Sequence, residues 1–285
     1  MNLIEAYRKQ VINHIFTLKS FSKVFENWRP LIVEIIGKNP DATKIINIGN
    51  SLRDIFRSTS SETRSQSELA SGGKAWECLV CWYLNLCLIG SRSIIILPSK
   101  KFRPNSIADA MSVNYGPFSS NSESDLIGIT LPNNYEINID EDLFKSFFSI
   151  CKLEIEKLDV VNIQCKTNWA DNAQIPMLWD MIYKSTEFRD SNLSIGKNSR
   201  HISHLNSFKY SFVTVPSQQN IEKFKHDSTP VNRVRNLSGF HYWGAATKEG
   251  VAKNLQNIFV DLFLSGCNSK SIHNDLNNAI SLGSG

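Results

Sequence analysis

Two short segments of this 285-residue chain carry the residue types that a phosphodiester-cutting centre uses. Val160-Val161-Asn162-Ile163-Gln164-Cys165-Lys166 is an apolar run ending in an amide, a thiol and an ammonium, and Asp125-Leu126-Ile127-Gly128-Ile129 is an apolar run opening with a carboxylate. Both read as buried strands. Sharing one sheet, they would deliver Asp125, Gln164 and Lys166 to a single edge. Mg²⁺ takes hard oxygen ligands in octahedral geometry and keeps several waters, so one or two carboxylates, a neutral carbonyl and a substrate phosphate suffice to hold it. Asp125 is the expected central ligand, with the Gln164 side-chain oxygen and the Cys165 backbone carbonyl beside it. Lys166 is suited to orient or deprotonate the attacking water and to offset charge developing on phosphorus. Glu77 is the expected fourth member, because it is the only carboxylate inside the apolar helical run 69–88 and buried acids are rarely left without a partner. Lys74, three residues earlier on the same helix face, is the competing partner, and pairing with it would put Glu77 on a solvated stripe.

The elements that must position these residues can be read from periodicity. Residues 3–57 carry helical patterns, Leu3-Ile4 leading to Val11-Ile12-Ile15 and Val24-Phe25 leading to Leu31-Ile32-Ile35-Ile36. Ser58 to Ser67 is small and polar, reads as a loop or linker, and marks the expected boundary between a helical region (1–60) and a larger domain (61–285). A long helix follows to Leu88, then a buried strand from Ser93 stopped by Pro98. Residues 99–124 read as a loop, basic first and then rich in Ser and Asn. Beyond it come the strand from Asp125 to Leu131, a helix from Phe144 to Leu158, the strand from Asp159 to Cys165, a helix from about Pro176 to Phe188, and an alternating strand from Phe208 to Val215. The glycine-bracketed aromatic segment Ser238 to Gly244 reads as a packed turn before a helix that Thr247 can cap and that runs to about Leu264. The expected fold class is α/β (α+β), with a central mixed sheet of at least four strands flanked by helices.

Composition narrows the partners little. With 41% hydrophobic and 20% charged residues the chain can bury a large core. The balance of 31 Lys+Arg against 27 Asp+Glu is too mild to mark a nucleic-acid binder, so a basic footprint must come from local clusters. No signal-peptide pattern opens the sequence and no run approaches the length of a membrane span, which predicts a cytoplasmic protein without a membrane partner. Six scattered cysteines, five in apolar stretches, predict reduced core thiols. Cys78-x-x-Cys81 has zinc-like spacing, but it lies within an apolar helical run and has no second pair. His201-x-x-His204 likewise lacks a partner at ligand spacing.

The order helix, strand, strand, strand, helix, strand, with Asp125 at the second strand and Gln164-x-Lys166 at the third, resembles the PD-(D/E)XK nuclease superfamily, most closely its type II restriction endonucleases. The resemblance covers about residues 69–216. Gln164 stands where the family usually has Glu or Asp, although some branches are similar in using Gln; Ser124 stands where Pro usually precedes the aspartate. No E-x-K or D-x-K occurs in the chain, so Gln164-x-Lys166 alone can carry the signature. The resemblance implies a restriction-endonuclease-like core that cuts double-stranded DNA at a short sequence with Mg²⁺, which Mn²⁺ can replace. It implies a homodimer and a cognate DNA methyltransferase in the same system, with Asp125, Gln164, Lys166 and the helix residue Glu77 as catalytic and metal-site residues. DNA contacts are expected from Lys100, Lys101 and Arg103, from Arg200, His201 and His204, and from Arg233 and Arg235, with Asn168 and Asn172 beside the scissile phosphate. The alternatives are a repair, transposition or modification-dependent nuclease on the same core, and a sequence-specific DNA-binding protein silenced at Gln164.

Overall fold

The computed structural model describes residues 1–59, 66–120, 124–167, 182–183, 192–214, 242–243 and 262–283. Four helices come first: α1 (Leu3–Thr17), α2 (Lys19–Ile36), α3 (Ala42–Arg57) and α4 (Gln66–Cys87). Asn2 and Asp41 accept hydrogen bonds from Glu5 N and Lys44 N and so satisfy orphan donors at the starts of α1 and α3. Leu3, Tyr7, Val11 and Ile15 recur every four residues and are buried on one face of α1. From Ala75 to Leu88, α4 and the residue after it bury nearly every side chain, Trp76, Tyr83 and Leu84 among them. Tyr83 lies against Gly49 of α3, where a side chain would collide with the ring, and donates its hydroxyl to Ile46 O at 2.5 Å.

Chain order continues with β1 (Ser93–Ile96), α5 (Asn105–Ala110), β2 (Val113–Tyr115), β3 (Phe118–Ser120), β4 (Leu126–Thr130), α6 (Leu143–Leu153), β5 (Asp159–Lys166), β6 (Leu193–Ile195), β7 (Ser207–Thr214), β8 (Tyr242–Trp243) and α7 (Ile272–Ser281). The main sheet has the order β1-β4-β5-β7-β8. Its first three strands form an antiparallel meander, and β7 runs parallel to β5 and to β8. This is the expected mixed sheet flanked by helices, with a helical region before it. One hydrophobic cluster runs from Leu3 to Leu276 and takes in α1 to α4, the meander and α7.

Registers decide what each sheet end carries. Ile96 pairs with Ile127 and Leu126 with Ile163, so the end of β1, the start of β4 and the end of β5 lie together. Ser207 pairs with Asp159, so β7 enters at the opposite end. The free edge of β1 is covered by a side chain. Asn85 of α4 accepts from Ile95 N at 3.1 Å and donates to Ile95 O at 2.8 Å, doing for this edge what a further strand would do.

Several expectations need amendment. The stretch 99–124 is not loop throughout: it holds α5 and the hairpin β2–β3, turned at Gly116 with φ +57°, and β2 also pairs with β6 in a small second sheet. Three-residue strands are too short to show alternation, so periodicity misses them. The helix expected from Phe144 to Leu158 stops at Leu153, where Glu154 leaves helical geometry and a 3-10 turn (Ile155–Lys157) begins. Helix α7, capped by Ser271 and packed on α3, was not anticipated. The helix expected at 176–188 lies outside the described residues except for Ile182 and Tyr183, which are helical; most of 238–264 lies outside them as well.

Candidate active site

The first residue before β4 and the last residues of β5 meet at one end of the main sheet. Asp125 turns its carboxylate onto the backbone of β5 and accepts a hydrogen bond from Cys165 N at 2.7 Å. The Lys166 ammonium lies 3.9 Å from the same oxygen, and both side chains are one-fifth exposed. Glu77, projecting from α4, is ion-paired with Lys74 at 2.8 Å. Burial, and after it the nearby Glu77 charge, pushes the Asp125 carboxyl up to about 6, although Lys166, the Cys165 N–H and Lys74 pull the other way. The Glu77 charge thus lies close enough to disfavour ionisation of Asp125, with two ammonium groups nearby. Desolvation first, then the Asp125 and Glu77 charges, raise the Cys165 thiol well above its ordinary range, so this cysteine is no nucleophile.

Gln164 is fully buried. Its side-chain oxygen accepts the hydroxyl hydrogen of Tyr210 on β7, and among the described residues its Nε2 has no hydrogen-bond partner. Asn162, on the same strand face, is also fully buried, and among the described residues neither of its amide atoms is paired. The structure therefore gathers Asp125, Lys166, Glu77 and Cys165, with Lys74 added, and turns the Gln164 amide toward Tyr210.

Carboxylate and amide oxygens are the donor types a hard divalent cation takes. Glu77 and Asp125 supply two carboxylates whose mutual repulsion a cation would relieve, and an amide oxygen has a second lone pair beyond the one used by Tyr210. Among the described residues no group of three or more His, Cys, Asp or Glu is placed to hold a metal ion by itself. No family model matches this sequence, and no curated protein matches it.

The basic segments are distributed unequally. Lys100 and Lys101 follow β1 and therefore lie at the Asp125 end; both are exposed, and the Lys101 ammonium rests over the rings of Phe102 and Phe144, 5.2 and 5.4 Å from their centroids. Arg103 is half-buried, and burial outweighs the Asp109 charge to lower its pKa. Asp109 also meets Lys197 at 3.6 Å and Asn198 at 3.0 Å. Arg200, His201 and His204 precede β7 and belong to the Asp159 end of β5, away from Lys166. His201 receives Ser203 N at 3.0 Å on Nδ1, and its ring centroid is 6.3 Å from that of His204. Asn168, Asn172, Arg233 and Arg235 lie outside the described residues.

Sequence reasoning passed over two neighbours of the site. Lys74 appeared only as an ion-pair partner, yet its charge acts on Asp125 and on His14. His14, near the end of α1, lies 5.0 Å from the Phe102 ring, centroid to centroid. Nothing in the spacing of α1 brings residue 14 to residue 101; that contact is purely tertiary. Cys78 and Cys81 are buried free thiols, with Cys78 pushed up to about 12 by desolvation. Among the described residues no helix is long and apolar enough to cross a membrane.

Proposed function

We propose that the chain is a divalent-metal-dependent endonuclease of the PD-(D/E)XK kind that hydrolyses phosphodiesters of double-stranded DNA at a short specific sequence. The observation that carries this reading is the convergence of Asp125, Glu77 and Lys166 at the end of the β4–β5 pair, reached by a helix, an antiparallel meander and a parallel strand. Asp125 and Glu77 would hold Mg²⁺ or Mn²⁺, helped by the Gln164 oxygen and the Cys165 carbonyl, and the bound ion would supply Lewis-acid polarisation of the phosphate and of water. Lys166 orients the attacking water and balances the negative charge growing on the phosphoryl oxygens. The Cys165 N–H fixes one Asp125 oxygen and so fixes the direction of the other. A homodimer would place two such sites about a twofold axis, as cutting both strands of a palindrome requires, and a methyltransferase in the same system would protect the host sequence.

A second reading, a silent sequence-specific DNA-binding protein, is favoured by one feature: Gln164 is sealed in the sheet against Tyr210 while Glu77 already has Lys74. Incubation of mixed plasmid DNA with Mg²⁺ and with Mn²⁺ separates the two. Discrete fragments are expected for a restriction endonuclease, and a smear for a nuclease without a fixed target. Duplex binding with no cutting in either metal would assign the chain to the silent class.

A further inference from the structure

Beyond the metal-centred residues, a second group of side chains gathers where α1, α4 and the turn after β1 meet. His14 lies against the Phe102 ring, whose face also carries the Lys101 ammonium, and Tyr7 of α1 donates to Phe102 O at 2.9 Å, which pins this turn to α1. Lys74 reaches the same place from α4, close enough for its charge, with that of Lys101, to act on His14. Its ammonium is 2.8 Å from Glu77, so the cluster adjoins the candidate active site through this one ion pair. An imidazole and two ammonium groups from three separate segments thus come together, Lys74 held by Glu77 and Lys101 by the aromatic rings, an arrangement suited to receive an anion.

We propose that His14, Lys74 and Lys101 form a phosphate-binding subsite that holds the DNA backbone beside the scissile bond. The DNA identity of the anion rests on the nuclease reading above. The aromatic bed of Phe102 and Phe144 holds the Lys101 ammonium, which lessens the side-chain entropy lost on binding. His14 is half-buried, and burial, then Lys101 and Lys74, lower its pKa. A phosphate beside it would oppose those causes, so phosphate binding and His14 protonation are linked. The charged groups facing it are Lys101 from the turn and Lys74 from α4.

The test is binding of a fluorescent duplex in Ca²⁺ across a salt series, with wild type, His14→Gln and Lys101→Met. The methionine keeps the apolar stem over the rings while removing the charge. Each contacted phosphate adds about 0.9 to the slope of log affinity against log salt, so Lys101→Met should reduce the slope by about one and Lys101→Arg should restore it. Affinity of wild type should rise as pH falls from 8 to 6, and this gain should be smaller in His14→Gln. Circular dichroism melts verify that each variant is folded. Folded variants that keep the wild-type slope and pH profile overturn the subsite, as does a wild type that binds no duplex at low salt. A wild type that shows the predicted slopes but cuts no DNA in Mg²⁺ or Mn²⁺ leaves the subsite standing and defeats the nuclease reading alone.

Discussion

Strand β5 carries a carboxylate environment at each end, and the two differ in how charge is met. At its start, among the described residues, Asp159 receives neutral donors only: Asn206 Nδ2 at 2.7 Å, Ser207 Oγ at 2.7 Å and Ser265 Oγ at 2.6 Å. Three donors from two later segments satisfy the acid and tie the start of β7 and the C-terminal region to the sheet. At the other end Asp125 receives one backbone N–H, lies 3.9 Å from the Lys166 ammonium and within reach of a second acid, and has its carboxyl pushed up to about 6. A carboxylate that folding satisfies with hydrogen bonds is a fastener; one that folding buries beside a second acid, so that its charge is disfavoured despite its partners, is poised for something from outside. That contrast, more than the presence of an aspartate beside a strand, separates the candidate site from its structural counterpart.

The hardest break of this comparison comes from removing the reactive end. Asp125→Ala and Lys166→Ala should each lower the cleavage rate in Mg²⁺ by about 10²–10³-fold or more while duplex binding in Ca²⁺ stays measurable. Single-turnover cleavage of a labelled target measures it, and near-wild-type cutting by either variant removes that residue from the site.

Gln164 should give the next largest effect. An amide oxygen offers a metal a weaker field than a carboxylate, so the site depends on Asp125, Glu77 and the DNA phosphate to complete the shell. Gln164→Glu should retain cleavage and shift the Mg²⁺ titration to lower concentration, and Gln164→Ala should shift it higher or abolish cutting. Because Tyr210 donates to the Gln164 oxygen, Tyr210→Phe should move the titration in the same direction as Gln164→Ala but less far. Normal Mg²⁺ dependence in Gln164→Ala would reduce this residue to a core amide.

How much of this was legible beforehand follows from the range of the interactions. The strands β1, β4, β5 and β7 announce themselves through apolar runs or alternation, and the ends that matter, Asp125 and Lys166, mark where polarity interrupts those runs. The antiparallel register that joins these ends follows from strand order and burial, so their meeting could be anticipated. The pairing of Glu77 with Lys74 is local, three residues apart on one helix, and was legible as the competing reading. Three things were not. The Tyr210 hydroxyl on Gln164 joins residues 46 apart across a parallel pair. The approach of His14 to Lys101 depends on how α1 packs. The separation of His201 and His204 from the Asp125 end depends on which way β7 runs. Composition treats the three basic clusters alike; topology puts Lys100 and Lys101 at one end of β5 and His201 and His204 at the other.

The strain at the reactive end should also be visible without DNA. Folding holds the Asp125 carboxyl near 6 against an ordinary 3.8, so the folded protein favours the protonated acid. The resulting stabilisation is fully present below the unfolded pKa, near 4, and is lost as pH rises through about 6. In chelator, this group should cost wild type roughly 2 kcal/mol between pH 4 and pH 7. Asp125→Asn, which keeps an oxygen for the Cys165 N–H, should remove that loss and make the variant the more stable protein at pH 7. Urea unfolding of both proteins across this range measures the difference; parallel stability profiles would mean that Asp125 is not strained.

The smallest effect is expected at the satisfied end. Asp159→Asn keeps one side-chain oxygen as acceptor but replaces the other with an amide NH₂, which faces donors it cannot serve. Asn206 and Ser207 both donate to one carboxylate oxygen, and Ser265 donates to the other. The amide can preserve the first pair and lose the third bond, or keep the third and lose two. The serine hydroxyls can rotate to water at this partly exposed position, so the cost should be about 1 kcal/mol. Cleavage per folded molecule and the Mg²⁺ titration should match wild type, because this end of β5 presents its carboxylate inward to its own chain. A folded Asp159→Asn protein with an altered Mg²⁺ requirement would place the reactive end wrongly and invert the comparison.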